Sequence, residues 1–552
     1  MNLEHNKMEI AIKPRIFFGC VLVCILLFLP INAQKNNAVS NAAQVNQILQ
    51  NASDFIEAGK FAEAETVLRA YLAKSPKDNR AKVLLGVALD QQNRFEEAEK
   101  LYRDVLQTNP REQSAQANLG ILLAKTNRLP EAVKTLENVL KLNPGHDQAG
   151  FNLTALYTAQ NEFTKAVPIL EKLVGISPVN KLPKTDDLAL LFSLTKAYAA
   201  TGKRKEAVSI AEILEKKQPD NVRLLFTLGL VLAESEIFDK AKQLFEKVNE
   251  LKPSNFDVLY NLGIAYYNLD ELDKSRKVLQ QAVDLNPSAP EVFYRLGLIA
   301  SAKKESENAL GLWQKAIELR PVFPEANFLI AEELSNKRLY TGALGFYKKA
   351  AEQEPEKLLY QVRHCVNLIR LKEFQEARVV LEKVLRQYPE NLNINYLRGF
   401  LARAEGIYDE SAAAFEKVLK LSPDNPDVLA NLGFLAIQRG DKEKGEKLLR
   451  QAIKSDEKNF PAYYDLGRFL VSANRIDEAL PLLKRGAEIG NNDPGIYYQL
   501  FLAYSRLKQK ERANEAFAEF KRLEKDLEKT TGSAVKPDST IDYPDLIEEK
   551  KP

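Results

Sequence analysis

The strongest constraint on this chain is a period of 34 residues. It shows in "NLGILLAKTNRLPEAVKTLENVLKLNP" (Asn118–Pro144), "NLGIAYYNLDELDKSRKVLQQAVDLNP" (Asn261–Pro287) and "NLGFLAIQRGDKEKGEKLLRQAIKSDE" (Asn431–Glu457). Fourteen units keep this register. Four begin at Val45, Asn79, Gln113 and Asp147. After seven extra residues, ten more begin at Leu188, Val222, Phe256, Pro290, Pro324, Leu358, Leu392, Pro426, Phe460 and Pro494. A chain of 552 residues is too long for one ordinary core. Self-similarity at this period predicts an array in which each unit packs on its neighbours.

Three positions test the register. Position 8 is Gly in eight units and Ala, Thr or Cys in five, and only Phe501 in the last unit departs. Position 20 is Ala in eleven units, Ser at Ser275 and Ser411, and Gly at Gly445. Position 32 is Pro in eleven units, Pro76 to Pro423, where proline stops a helix and turns the chain onward. In these features the units resemble the tetratricopeptide repeat, a helix–turn–helix of 34 residues. The resemblance implies an all-α fold: an α-solenoid, a right-handed superhelix of about fourteen units. First helices would line its concave side and second helices its convex side. Positions 8 and 20 are where the two helices of a unit come closest.

The flanks depart from the pattern. Lys13 and Arg15 precede the apolar run "IFFGCVLVCILLFL" (Ile16–Leu29), which Pro30 breaks before "INA" (Ile31–Ala33). The run is short of the roughly 20 residues of a membrane span, so residues 1–33 read as a secretory signal peptide. The alternative is an uncleaved segment that associates the chain with a membrane. Cleavage would leave Cys365 as the one remaining cysteine and no internal disulfide. Export to a bacterial periplasm or cell envelope is the localisation this implies. Residues 34–44 read as a loose lead-in. Units 1–4 span 45–180, and a loop over 181–187 carries the insertion, read in "VNKLPKT" (Val179–Thr185). Units 5–14 span 188–529 and end in a charged capping helix. The polar tail 530–552 reads as disordered.

The side chains offer little chemistry. Lys+Arg of 78 against Asp+Glu of 75 gives no basic excess for a nucleic-acid backbone. The HExxH, CxxC pair, P-loop, G-x-S-x-G and dinucleotide fingerprints are all missing. No catalytic, metal or cofactor residue is assigned. His364 and Cys365 are adjacent, but Cys365 falls at position 8, where a small apolar packing residue is expected.

Function is therefore expected on a surface. By resemblance, positions 2, 5, 9, 12 and 13 face the groove. Position 5 supplies Phe151, Phe192, Phe226, Tyr260, Tyr294, Phe328, Tyr396, Tyr464 and Tyr498, and position 9 adds Phe400 and Phe434. Such a ladder packs between units or anchors a partner protein as an extended segment or helix. The reading is a non-enzymatic protein-binding scaffold. The alternative is a carbohydrate-handling accessory of polysaccharide export or glycosyl transfer, because aromatic rings also stack sugars. The carboxylate clamp of some such repeats is excluded, since no unit has Lys at position 5 or Asn at position 9. Gln361, His364, Asn395 and Arg398 put polar groups at inward positions of units ten and eleven. They predict either a hydrogen-bonded patch or a soft seam.

Overall fold

The computed structural model describes residues 38–531 except Pro178, Lys181, Asn491 and Asn492, with side chains from 44 to 526. Residues 1–33, read above as a signal peptide, and most of the tail lie outside the described residues. There are 28 α-helices, numbered α1 (Ala38–Glu57) to α28 (Lys510–Thr531), and no strand among the described residues. They form an α-solenoid of helical hairpins in which each odd helix pairs with the even helix after it. No described helix is long and apolar enough to cross a membrane.

Every odd helix from α3 (Asn79–Gln91) to α27 (Pro494–Arg506) begins at the residue where the register starts a unit. The cause is local. In eight of these thirteen helices Asp or Asn at the preceding position accepts the exposed N–H groups of the first turn, as Asp78 does from Arg80 and Ala81 and Asn391 from Ile394. The first unit differs: α1 starts at Ala38, so the lead-in from there is helical. The insertion also has a cost upstream. α8 (Phe163–Leu173) has 11 residues where the other second helices before α28 have 14. The loop after it is tied down by Lys184 N–H to Val174 O at 2.7 Å.

Between the two helices of a unit the chain turns sharply. Position 15 has a positive φ in every unit. Asn or Gly takes it at Asn93, Gly202 and Gly406, but Lys304, Arg338, Lys372 and Lys508 take it too, at φ near 60°. The turn is closed by bonds such as Glu373 N–H to Leu368 O at 2.9 Å.

Positions 8 and 20 bring the helices of a hairpin together. A Cβ on Gly399 would lie 2.9 Å from the Phe415 ring, and one on Gly433 would lie 2.7 Å from Leu449 Cγ. Both partners are fully buried. Where position 20 is Ser it also bonds across the hairpin: Ser275 Oγ donates to Gly263 O at 2.6 Å and Ser411 Oγ to Gly399 O at 2.7 Å. Second helices are also linked from unit to unit by ion pairs from position 21 to position 16 of the next. Examples are Glu65–Arg94 at 2.8 Å, Glu99–Arg128 at 2.9 Å and Glu446–Arg475 at 2.6 Å. These side chains are partly exposed and screened by water, so each pair adds little to stability.

The chain divides into two compact units, one ending at Leu285 and the other starting at Asn286. In the first, continuous apolar clusters run from Leu49 to Ala132 and from Ala117 to Tyr266. In the second, one cluster runs from Val362 to Leu435 and another from Leu429 to Ala516. A buried side chain of this kind stabilises by about 1.5–3 kcal/mol.

Candidate partner-binding surface

The clearest functional geometry lies on three successive first helices of the second compact unit: α21 (Leu392–Glu405), α23 (Pro426–Gln438) and α25 (Phe460–Ser472). Arg403, on α21, joins all three. Its Nη1 donates to Asn431 Oδ1 on α23 at 2.6 Å, and its Nη2 to Asp465 Oδ2 on α25 at 3.3 Å. Its guanidinium lies 3.7 Å from the centroid of Phe434, a cation–π distance. Arg468 approaches the same ring at 5.3 Å and Tyr464 at 5.6 Å, while donating to Asp465 Oδ1 at 3.0 Å. Asn431 in turn donates from Nδ2 to Tyr396 Oη at 3.2 Å. Arg403 thus spans from its own first helix to the one two repeats on, linking positions 12 and 6 of the register.

The aromatic ladder is not a uniform exposed strip. Phe151 is exposed, at 41%. Phe192, Phe226, Tyr294, Phe328, Phe434, Tyr464 and Tyr498 are half-buried. Tyr260, Tyr396 and Phe400 are buried, which corrects their assignment to an open groove. Two of them pack on rings of the array: Tyr260 stacks on Phe256 at 6.1 Å, and Tyr396 meets Phe415 edge-on at 5.3 Å. Burial pushes the Tyr396 phenol up. Phe226, Tyr294 and Phe328 also lean on neighbours, Phe245, Phe323 and Tyr360, while part of each stays accessible.

Three of the four polar groups of units ten and eleven make hydrogen bonds. Gln361 Nε2 donates to Ala351 O at 2.7 Å, Asn395 Nδ2 to Pro389 O at 2.9 Å, and Arg398 Nε to Glu410 Oε1 at 3.1 Å. His364 is buried on α19 (Leu358–Arg370), and that burial, with Lys348 nearby, holds its imidazole below the ordinary histidine value. Cys365 is buried at 1%, and its Sγ lies 3.5 Å from Ala377 O, the position-20 residue of its own unit. Burial raises its thiol pKa, so it is packing and not a nucleophile. Among the described residues no group of three His, Cys, Asp or Glu could hold a metal ion.

One further feature shares this face by repeat position. A cleft of about 200 Å³ opens between α17 (Pro324–Asn336), α18 (Tyr340–Gln353) and α19. Its walls include Glu332 at position 9 and Arg370 at position 13. The ladder reading missed this cleft and the Arg403 network alike. A partial signal was charge at positions that most units leave uncharged: Glu332 and Arg468, with Lys196, at position 9, and Arg403, with Asp90, at position 12.

Comparison with known proteins gives the family. Sequence models of the tetratricopeptide repeat match residues 49–115, 117–181, 193–256 and 367–426 in one form. A second form matches 91–141, 232–297, 402–468 and 445–507, and together the matches span more than half of the chain. No curated protein sequence matches it. Among solved structures it is similar to that of MamA, with 27% identity over 30% of this chain and 96% of that one and a TM-score of 0.27. It is similar to yeast Tom70, with 15% identity over 80% of this chain and 98% of that one and a TM-score of 0.32. It is also similar to YrrB, described as a TPR protein with an unusual peptide-binding site. That likeness has 21% identity over 37% of this chain and 97% of that one, and a TM-score of 0.29. At these TM-scores no residue here is placed by superposition.

Proposed function

The chain belongs to the tetratricopeptide-repeat family, and on that premise we propose that it is a non-enzymatic scaffold that binds partner proteins on its inner, first-helix face. The observation that carries this reading is the Arg403–Phe434–Asp465–Arg468 network. It fixes three first helices in one geometry while Phe434, Tyr464 and Arg468 stay partly accessible. A surface ordered before the partner arrives loses less entropy on binding. Half-buried rings beside guanidinium groups are the residue types that dominate interface energies. An extended segment or a helix suits such a face. The apolar run at 16–29 supports export and a place in the cell envelope.

The test is a photocrosslinking amino acid placed singly at Tyr464, Tyr498 or Val379 in the full chain, expressed in its native cell. Val379 is 73% exposed on the second-helix side, in α20 (Phe374–Gln387). Polypeptide adducts at Tyr464 and Tyr498 but not at Val379 are expected. Adducts of equal yield at all three sites, or to polysaccharide alone, would overturn the reading.

A further inference from the structure

We propose that the cleft between α17, α18 and α19 is a binding site for the side-chain carboxylate of an acidic residue in an extended peptide segment. The proposal rests on the scaffold reading and names the anchor that the segment would carry.

The walls of the cleft carry Arg338, Arg363 and Arg370 against one carboxylate, Glu332, a net charge of +2. Glu332 is fixed in place. Its Oε1 accepts from Tyr347 Oη at 2.6 Å and lies 3.4 Å from Arg363 Nε. Arg370 is oriented from two sides. It donates from Nη1 to Ser335 Oγ at 3.0 Å, and its guanidinium lies 5.1 Å from the centre of the Tyr340 ring. Asn367 supplies the second, independent sign of a ligand. It is 1% exposed and lines the cleft, and its Nδ2 donates to Tyr340 O at 3.0 Å. Its Oδ1 is buried with no hydrogen-bond partner. A buried acceptor left unpaired is unfavourable, and a native structure that keeps one calls for an explanation.

These groups narrow the ligand. Three guanidinium groups favour an anion, and their flat forks suit a carboxylate. The fixed charge of Glu332 disfavours a dianion such as a phosphate monoester. Asn367 Oδ1 needs an N–H donor, which a bare carboxylate lacks and a peptide backbone has. A cavity of about 200 Å³ is below the roughly 300–1,000 Å³ of small-molecule sites, so it takes a side chain and its adjoining amide, not a cofactor. One acidic residue of a peptide meets all three conditions.

The experiment uses the full chain and three fluorescein-labelled peptides of alternating glycine with glutamate, glutamine or phosphoserine, read by anisotropy at near-physiological salt. An oligogalacturonate serves as a competing carboxylate. The glutamate peptide should bind about tenfold tighter than the glutamine one and no weaker than the phosphoserine one. Arg370→Gln and Asn367→Leu should each weaken it by about fivefold or more. Arg439→Gln removes an equal charge at an exposed pair with Asp409, and should leave the affinity within about twofold. Circular dichroism and the emission of Trp313, the single tryptophan, verify that each variant is folded. Equal binding of the glutamate and glutamine peptides, no binding of either, or an equal loss in Arg439→Gln would overturn the proposal. So would oligogalacturonate binding that Arg370→Gln abolishes while the glutamate peptide stays unbound. Crosslinks from Tyr464 and Tyr498 that persist through any of these outcomes would leave the scaffold reading standing while the cleft assignment fails.

Discussion

Arg403 and Asp465 are 62 residues apart in sequence, yet Arg403 Nη2 donates to Asp465 Oδ2 across 3.3 Å. The contact passes over a whole repeat. Both side chains are largely withdrawn from water, at 9% and 3% exposure. In a solenoid whose units touch only their neighbours, stability is close to a sum of nearest-neighbour terms. This contact adds a next-nearest-neighbour term, and it does so among the first helices proposed above to meet a partner.

Arg403→Leu should therefore be felt two units away. It leaves Asn431 Oδ1 without its donor and Asp465 with Arg468 as its remaining guanidinium partner named above. The expected cost is about 2–3 kcal/mol in the stability of this region. Native-state hydrogen exchange should show lost protection on α25 as well as on α21 and α23. A double-mutant cycle with Asp465→Leu should give a coupling of about 1–3 kcal/mol. Strictly additive effects would show that the contact carries no energy.

How much of this could be read from the sequence differs by level. The helix starts at Leu188, Phe256 or Pro426 follow from the 34-residue register, because the units repeat the same packing positions and these three repeat an Asp or Asn cap. The small residues at Gly399 and Cys365 were readable for the same reason. The Arg403–Asp465 contact was not, because it depends on the angle between successive first helices, which no periodic pattern encodes. The burial of Tyr260 and Tyr396 was hidden too. A partner ring alone does not decide it, since Tyr464 on Phe460 and Phe226 on Phe245 repeat the same pairs of positions and stay half-buried. The turn at position 15 was obscured because lysine, arginine and glutamate take a left-handed conformation usually left to glycine or asparagine.

That last point gives a stabilising prediction. Lys372 sits at φ 64° with its helix ended by Glu373 N–H to Leu368 O at 2.9 Å. A left-handed residue with a Cβ is strained by about 1–2 kcal/mol, part of which the flexibility of glycine in the unfolded chain offsets. Lys372→Gly should raise local stability by about 0.5–1 kcal/mol. Lys304→Gly should do the same in its own hairpin. Slower amide exchange in the affected hairpin is the readout, and unchanged or faster exchange would count against the strain.

A second substitution should run against the repeat's own preference. Position 20 is alanine in eleven units and glycine at Gly445. Here α23 and α24 (Lys442–Ser455) pack closely enough that a Cβ on Gly445 would lie 2.8 Å from Gly433 O and 3.1 Å from Ile437 N. These are backbone atoms, which cannot rotate away. Gly445→Ala, which restores the common residue, should cost about 1–3 kcal/mol through overpacking. Denaturant titration followed by circular dichroism, with Gly311→Ala as a control site that has open space, checks it. Equal effects at the two sites would mean the hairpin can spread.

His364 should give the array a specific sensitivity to mild acid. Burial is the larger cause that holds its pKa below the ordinary histidine value, with Lys348 adding to it and Glu352 and Glu376 opposing. In the folded state the neutral imidazole is favoured, and the unfolded chain takes up a proton first as pH falls. Between the ordinary value of about 6.5 and the lowered folded one, the unfolded state thus binds more protons, and stability must fall with falling pH. Above that window His364 contributes no pH dependence. His364→Leu puts at position 7 the residue type common there and removes the titration. The denaturation midpoint of the wild type should drop from pH 7 to about 5.5 by more than that of His364→Leu. The carboxylates that titrate at lower pH are shared by both proteins, so the difference between the two curves isolates the imidazole. Parallel curves across that interval would mean that His364 accepts its proton in the folded state as readily as in the unfolded one, against its burial in α19.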